Sequence, residues 1–321
     1  MSHWRLRGPY AYPARRYRFR AAAAGLTVAL VAGACAGSTA RTASSPPGAP
    51  GQGGTRGAVS GVRGSGPVDV LYAGSLVNLM DNLVGPGFGR ASGYNLVGTS
   101  GDSGSLANEI KAKVESGDVY ISASPAQNAR LEGKTNGNWV SWYATFATSA
   151  LVIGYNPKSR FAARLGSRPW YDVVNQPGFL LGRTDPATDP KGQLAVEALD
   201  QAARVHHQPG LARLAASTSD VFAENSLVGR LQAGQLDAGF FYRVEAETAG
   251  IPTVSLPGSS LAAHYTITVP ANPAHPSGAI AFVRYLLGPS GAADLARAGL
   301  AVSRPIGVIG SPPPSLKDVL F

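Results

Sequence analysis

The sequence contains a single cysteine, Cys35, and few histidines, with none between His3 and His206. With one thiol, the chain cannot form an intramolecular disulfide bond. Gly101-Asp102-Ser103-Gly104 matches the sequence around a chymotrypsin-like nucleophile, but that enzyme class needs a histidine base upstream in the chain. His206 and His207 have no acid or cysteine at a metal-ligand spacing. We therefore expect neither a protease nor a metal site, and no cofactor.

Acidic residues are absent from the first part of the chain, where Asp69 is the first. Residues 1–66 contain nine of the 28 basic residues, all of them arginine. The rest of the chain therefore carries 19 basic and 19 acidic residues, and the formal net charge of +9 belongs to the N-terminal segment. A neutral folded part lacks the basic surface of a nucleic-acid-binding protein, so we expect no nucleic-acid partner.

The N-terminal segment has the layout of an export signal. A basic region at residues 15–20 precedes the apolar residues 21–34, a run too short for a permanent transmembrane helix. Small residues before Cys35 resemble a bacterial lipoprotein cleavage site, although Ala32 stands where leucine is usual. We predict that residues 1–35 are a signal peptide and that Cys35 carries a lipid anchored in the cell membrane, on its extracytoplasmic side. An ordinary signal peptide with an unmodified thiol is the alternative.

Residues 36–66 connect this signal to the folded part. They are mainly Gly, Ser, Pro, Thr and Ala, with three arginines and little that could be buried. This composition predicts a disordered tether. Random-coil scaling gives it a span of about 30 Å, which keeps a folded domain near a membrane but clear of it.

Beyond the tether, short apolar runs alternate with longer helical stretches, which predicts an α/β fold with parallel strands. The run from Val68 leads into Ala73-Gly74-Ser75 and a helix start, which places Ser75 near a helix N-cap. A second strand leads through Ser103 and Ser105 into a helix. A third unit of this kind begins with a strand at residue 180 and leads through a loop, up to residue 193, into another helix. Helix N-termini attract anions through unpaired N–H groups and the helix dipole. Plain capping is the alternative, and the repetition favours an anion site.

These turns, in this order, resemble the solute-binding proteins of ABC uptake systems for molybdate and tungstate. The resemblance runs from about Val68 to about Ile309. It rests on the following motifs: Tyr72-Ala73-Gly74-Ser75-Leu76, the serine-rich turn before Leu106-Ala107, Asp118 to Ser124, Trp142 to Ala147, the Asp185 to Gly192 loop, Ala223-Glu224-Asn225, and Asp237 to Arg243. It implies a two-lobed α/β fold of the type II periplasmic-binding-protein kind, with crossover strands and a central ligand cleft. It also implies a non-enzymatic protein that delivers its anion to an ABC permease.

The domain organisation follows from the same resemblance. We expect one lobe to comprise residues 67–148 plus 258–321, and the other residues 149–257. The chain then crosses between lobes near Thr148-Ser149 and near Leu256-Pro257-Gly258. We expect the protein to be a monomer.

The family has two styles of site, and this sequence lies between them. In the bacterial style neutral donors alone hold the oxyanion. Carried over to this chain, these donors are the hydroxyl of Ser75, a hydroxyl of Ser103 or Ser105, the backbone N–H groups of Lys191 and Ser226, and the hydroxyl of Tyr242. In the tungstate-preferring style two carboxylates complete an octahedral metal sphere. Asp189 matches the first, but Phe241 stands at the second.

We therefore expect a tetrahedral oxyanion held by neutral donors. Asp189 would repel a dianion, so we expect it to cap its helix or to pair with Lys191 or Arg183. Lys191 is expected to contribute its backbone N–H and not its ammonium group. Fixed neutral donors suit such a cleft because stripping water from a dianion is very costly.

Three alternatives stay open. The same fold could bind sulfate, thiosulfate or phosphate. An exported serine hydrolase could use Ser75 or Ser103 with His264 as base, although the sequence has no Gly-x-Ser-x-Gly elbow. The third alternative is a pair of lobes that binds a protein partner and no small ligand.

Overall fold

A computed structural model describes residues 63–321 of the chain. The predicted signal peptide, Cys35 and residues 36–62 of the predicted tether lie outside the described residues. Among residues 63–321, no helix is both long and apolar enough to cross a membrane.

Within residues 63–321, nine strands alternate with helices. The strands are β1 (Pro67–Ala73), β2 (Asn95–Gly101), β3 (Val119–Ser122), β4 (Trp142–Tyr155), β5 (Leu181–Gly182), β6 (Ala238–Tyr242), β7 (Thr253–Ser255), β8 (Ala262–Thr268) and β9 (Ala301–Gly310). The α-helices are α1 (Val77–Leu79), α2 (Gly85–Ser92), α3 (Ser103–Lys111), α4 (Pro125–Ala129), α5 (Ala162–Leu165), α6 (Trp170–Val174), α7 (Pro190–Val205), α8 (Pro209–Ala216), α9 (Glu224–Gln232), α10 (Arg243–Thr248), α11 (Pro276–Leu287), α12 (Pro289–Arg297) and α13 (Lys317–Leu320). Short 3₁₀ turns lie at Gly74–Leu76, Lys134–Asn136 and Pro314–Leu316, and a π-helical turn lies at Met80–Val84.

The strands are hydrogen bonded in the order β2-β1-β3-β8-β4-β6-β5, with β7 and β9 paired to β4. β1 lies parallel to both β2 and β3, whereas β8 is antiparallel to β3 and β4. β1 is buried on both faces, from Val70 to Ala73 without a break, because it lies inside the sheet with helices on either side. The sheet is therefore mixed, and its parallel part contains the first two predicted strand–turn–helix units.

The long strand β4 changes partners halfway along its length. Residues up to Ala150 pair with β8 and β9, and residues from Leu151 onward pair with β6 and β7. We call β1, β2, β3, β8, β9 and the first part of β4 the first strand group. β5, β6, β7 and the end of β4 form the second strand group.

The contacts of the folded part begin before Pro67. The N–H of Gly64 donates to the carbonyl of Ser92 at 2.9 Å, and the carbonyl of Gly66 accepts from the N–H of Asn95 at 2.9 Å. These two glycines belong to the segment for which the sequence predicts a tether, and both are attached to the sheet's edge strand and the preceding helix.

Asp118 connects three segments at the opposite end of β1 from Ser75. Its carboxylate accepts hydrogen bonds from the backbone N–H groups of Asp69, at 2.8 Å, and of His275, at 2.7 Å. The His275 ring nitrogen Nδ1 lies 2.8 Å from the same carboxylate. A side chain that is only 1% exposed thus joins β1, the start of β3 and the start of α11.

Candidate functional site

Ser75 lies in the 3₁₀ turn that follows β1, and its side chain is buried. Its hydroxyl is 2.8 Å from the hydroxyl of Tyr265 on β8. The turn can approach the start of α9 closely because Gly74 has no side chain: a Cβ there would lie 1.6 Å from Oε2 of Glu224. The turn after β1 therefore lies directly against a carboxylate from the start of α9.

Ser103 and Ser105 lie in the first turn of α3, after β2. Ser103 is buried; its hydroxyl accepts the N–H of Ala123 at 3.1 Å, and its carbonyl accepts the hydroxyl of Tyr120 at 2.6 Å. These bonds fix the turn against β3. Ser105 is half-buried.

Asp189 is the N-cap residue of α7, and its carboxylate accepts the N–H of Lys191 at 2.6 Å. The prediction that Asp189 caps its helix is therefore confirmed. The cap also uses the N–H of Lys191, one of the groups predicted to donate to the anion. Pro190, the first residue of the helix, has no N–H to contribute.

The ammonium group of Lys191 lies between two glutamates. Nζ is 3.0 Å from Glu224 and 2.7 Å from Glu245, and Lys191 is fully buried. Burial alone would lower the pKa of this ammonium, but the two carboxylates outweigh burial and raise the pKa above its usual value. The side chain of Lys191 thus forms the centre of an internal ion-pair cluster, while its backbone N–H is bonded to the Asp189 carboxylate.

Ser226 lies in the first turn of α9. Both its N–H, at 3.0 Å, and its hydroxyl, at 2.9 Å, donate to the carbonyl of Ala223. The N–H predicted to reach the anion is thus bonded within its own turn.

Tyr242 ends β6, and its ring meets that of Tyr265 edge to face, with 6.1 Å between ring centroids. The Tyr242 hydroxyl is buried and has no hydrogen-bond partner among residues 63–321. Burial raises the pKa of this phenol well above its usual value, so the hydroxyl keeps its proton. A buried, unpaired donor costs free energy unless a partner reaches it.

Glu224 was not predicted from the sequence as a site residue. Its oxygen Oε1 binds Lys191, while Oε2 is buried without a partner among the described residues. Phe241, at the position of the family's second carboxylate, belongs instead to the apolar cluster around Val152 and Leu227. A carboxylate therefore enters the site from α9 and not from the end of β6.

Protons are held more tightly in this cluster than on exposed acids. Burial raises the pKa of Asp189 to about 7; the Lys191 charge opposes this shift and the Asp102 charge adds to it. Burial also raises the pKa values of Glu224 and Glu245, again against the effect of Lys191. The positive charge of Lys191, which opposes each of these shifts, offsets part of the negative charge that an incoming anion would meet.

The geometry does not favour the hydrolase alternative. The hydroxyl partners found for Ser75 and Ser103 among residues 63–321 are a tyrosine hydroxyl and a backbone N–H. His264 lies on β8 with an exposed side chain, next to the Tyr265 that contacts Ser75. No histidine base is hydrogen bonded to either serine within this part of the chain.

Two known proteins resemble parts of this chain. A Haloferax volcanii protein named as an ABC transporter molybdenum-binding protein is 31% identical over 194 residues, which cover 60% of this chain and 60% of that protein. The molybdate/tungstate-binding protein of Pyrococcus abyssi is 26% identical over 145 residues, 37% of this chain and 42% of that protein. The chain thus matches less than two-thirds of the length of either relative.

Among solved structures, the periplasmic molybdate-binding protein of Azotobacter vinelandii has the same fold. Its TM-score is 0.56 at 18% identity, and the match covers 74% of this chain and 100% of that one. The predicted α/β fold with two lobes, of the periplasmic-binding-protein type, is therefore confirmed.

A family model described as bacterial extracellular solute-binding protein matches residues 68–301. The matched segment runs from β1 to the first residue of β9 and contains every residue of the buried cluster described above. The chain belongs to the bacterial extracellular solute-binding protein family.

Proposed function

We propose that this protein captures molybdate or tungstate in the cleft between its two lobes and delivers it to an ABC permease. The observation that carries the proposal is the buried hydroxyl of Tyr242, which has no partner among residues 63–321. The ring of Tyr242 packs against the ring of Tyr265, whose hydroxyl bonds to Ser75. Ser75 follows β1 and Tyr242 ends β6, so each strand group contributes a hydroxyl at a strand end, where ligands bind in open α/β sheets. The names of the relatives support the same ligand.

The lobes proposed are residues 67–148 plus 258–321, and residues 149–257. The change of β4 partners between Ala150 and Leu151 supports the first crossing. The second is supported by β7, which pairs with the end of β4, and by β8, which pairs with its beginning. Leu256-Pro257-Gly258 lies between these two strands.

The buried carboxylate of Glu224 supports a site in which a carboxylate contacts the ligand in addition to the neutral donors. Molybdenum and tungsten in their oxyanions can accept further oxygen ligands, whereas sulfur in sulfate and phosphorus in phosphate do not. We propose that the unpaired Oε2 of Glu224, which packs against Gly74 next to Ser75, contacts the ligand. This contact would favour molybdate and tungstate over sulfate and phosphate.

Calorimetric titration with tungstate, molybdate, sulfate and phosphate tests the proposal. We expect tungstate or molybdate to bind most tightly, and Ser75→Ala and Tyr242→Phe each to weaken that binding about ten- to a hundredfold. This corresponds to about 1.5–3 kcal/mol for a hydrogen bond to a charged group. Tyr155→Phe, at the far end of β4, is the matched control. Tight binding of sulfate or phosphate alone would refute the choice of anion, and unchanged affinity in both variants would refute the site.

Members of this family act outside the cytoplasm. We propose in addition that Cys35 becomes a lipid-modified N-terminus and that residues 36–62 tether the folded part to the membrane. The basic and apolar leader and the small residues before Cys35 support this anchoring. Mass spectrometry of the membrane-extracted protein should find an acylated Cys35, and a chain released with another N-terminus would contradict it.

A further inference from the structure

Asp102 occupies the N-cap position of α3 but does not cap that helix. Its carboxylate reaches the proposed second lobe instead. Oδ2 accepts the hydroxyl of Thr188 at 2.9 Å, and Oδ1 accepts the N–H of Glu224 at 3.3 Å. An aspartate in this position ordinarily bonds to the first turn of its own helix, so its actual partners need another explanation.

The receiving helix α9 lacks a cap of its own. Its N-cap residue is Ala223, whose side chain cannot accept a hydrogen bond. Asp102 therefore supplies, from across the cleft, the negatively charged acceptor that a helix N-terminus favours. The first residue of this helix is Glu224, which carries the unpaired oxygen of the candidate site.

Gly104 makes a second contact across the same boundary. Its N–H donates to the carbonyl of Thr188 at 2.8 Å, and a Cβ at Gly104 would lie 2.4 Å from that oxygen. Gly104 lies inside a regular helix, without a positive φ, so its backbone conformation does not require glycine. Glycine is required at this position because the helix approaches the carbonyl oxygen of Thr188 so closely.

We propose that Asp102, Gly104 and Thr188 form an interlobe latch that holds the closed form and positions the first turn of α9. Thr188 directly precedes Asp189, the cap of α7, so one latch fixes both helix starts that carry site carboxylates. The inference rests on the proposed division into lobes and on the proposed cleft, but not on which anion binds. The latch residues are positioning residues, since none of the contacts that define them involves a ligand.

The latch predicts how the two lobes move apart in variants. Nitroxide labels at Ala129→Cys in the first lobe and Ala163→Cys in the second, both exposed positions, report the interlobe distance by double electron–electron resonance in the full chain with Cys35→Ser. We expect Asp102→Ala and Gly104→Ala to lower the ratio of closed to open molecules about tenfold, as expected for loss of one or two hydrogen bonds. Asp102→Asn keeps an acceptor oxygen for the N–H of Glu224 and should retain most of the closed population.

Gly229→Ala is the matched control because Gly229 lies inside α9 and a Cβ there meets nothing within 4 Å. Circular dichroism of each variant verifies that the helices form. Wild-type distance distributions in both Asp102→Ala and Gly104→Ala would overturn the latch, as would an equal opening in Gly229→Ala. Repeating the measurement with tungstate separates the two proposals: failure of tungstate to close the wild-type protein counts against the proposed ligand, whereas the unliganded variants test the latch alone.

Discussion

Lys191 is the residue whose role differs most between sequence and structure. The sequence places it in the first turn of a helix, where a backbone N–H is the group expected to meet an anion. The structure uses that N–H for the Asp189 cap and buries the ammonium between Glu224 and Glu245. A lysine at a helix start ordinarily extends into water, so nothing in the local pattern indicates an internal ion pair.

Lys191→Ala should destabilise the protein strongly, because it leaves two buried carboxylates without their cation. Removing one partner of a buried ion pair typically costs about 3–5 kcal/mol in the free energy of unfolding. Urea denaturation measures the change, with Lys158→Ala as the control because Lys158 is exposed. Equal stability of the two variants would show that the buried cluster is not a stabilising pair.

Asp189 gives the stability of the protein a pH dependence of known sign. Burial raises its pKa from 3.8 to about 7 in the folded protein, whereas the unfolded chain has the ordinary value. Between these two pH values the folded state binds more protons, so the free energy of unfolding falls as pH rises. Above about pH 7 this contribution no longer changes.

We therefore expect the wild-type protein to be more stable at pH 5 than at pH 8. Asp189→Asn removes the titrating group but keeps a side-chain oxygen that can cap α7, so its stability should vary less over this range. Glu224 and Glu245 have pKa values shifted in the same direction and should leave a residual slope. Urea denaturation at both pH values provides the comparison, and an identical slope in wild type and variant would contradict the assignment to Asp189.

At the scale of elements, strands with a continuous buried stretch are the easiest to predict from the sequence, although β2, which has no buried residue, was also predicted. β1 coincides with the predicted run from Val68, and β3 and β6 lie within the motifs Asp118 to Ser124 and Asp237 to Arg243; each has an almost continuous buried stretch. β9 was missed: most of its residues are exposed and it contains Pro305, so no apolar run marks it. It forms because β4 offers a partner edge, which is a tertiary effect.

The same reasoning explains which site residues the sequence could show. Hydroxyl-rich turns after predicted strands indicated Ser75 and Ser103, whereas Tyr242 was indicated by the resemblance to the molybdate- and tungstate-binding proteins. Glu224 and Glu245 could not be found in this way, because acids are common in the first turn of solvated helices. Their burial depends on the packing of α9 and α10 around Lys191, and this packing cannot be predicted from the residues next to each glutamate.

Gly74 links two of these elements, the turn after β1 and the start of α9. An alanine Cβ would lie 1.6 Å from Oε2 of Glu224, so Gly74→Ala must displace that carboxylate from its place beside Lys191. We expect a loss of about 1–3 kcal/mol in the free energy of unfolding, as for overpacking elsewhere. Gly101→Ala, at the end of β2, is the matched control because its nearest contact would be 3.8 Å away.

A double-mutant cycle identifies the cause of that loss. In a Glu224→Ala background the clashing oxygen is gone, so the further cost of Gly74→Ala should shrink toward that of the control. An equal cost in both backgrounds, measured by urea denaturation, would assign the effect to the turn itself.

At the scale of the whole molecule, the two-lobed architecture was predictable and the start of the folded part was less so. Alternation of strands and helices gives the fold class, and the predicted lobe crossing near Thr148-Ser149 lies within β4, close to the point where that strand changes partners. Composition alone cannot separate a tether from a short ordered extension, because glycine occurs in both. In the structure, backbone hydrogen bonds attach Gly64 to the end of α2 and Gly66 to the start of β2. Such backbone bonds leave no signal in the side-chain sequence.

These bonds predict the result of truncation. A chain that begins at Arg63 keeps the bonds from Gly64 to Ser92 and from Gly66 to Asn95, whereas a chain that begins at Pro67 loses both. At about 0.5–1.5 kcal/mol for each backbone hydrogen bond, the shorter chain should be about 1–3 kcal/mol less stable toward urea. Anion affinity should be the same in both, because the lost bonds lie at the N-terminal end of β1 and the candidate site lies beyond its C-terminal end. If the two chains are equally stable, the extension contributes nothing and the folded part begins at Pro67; if affinity falls as well, the edge of the sheet is coupled to the cleft.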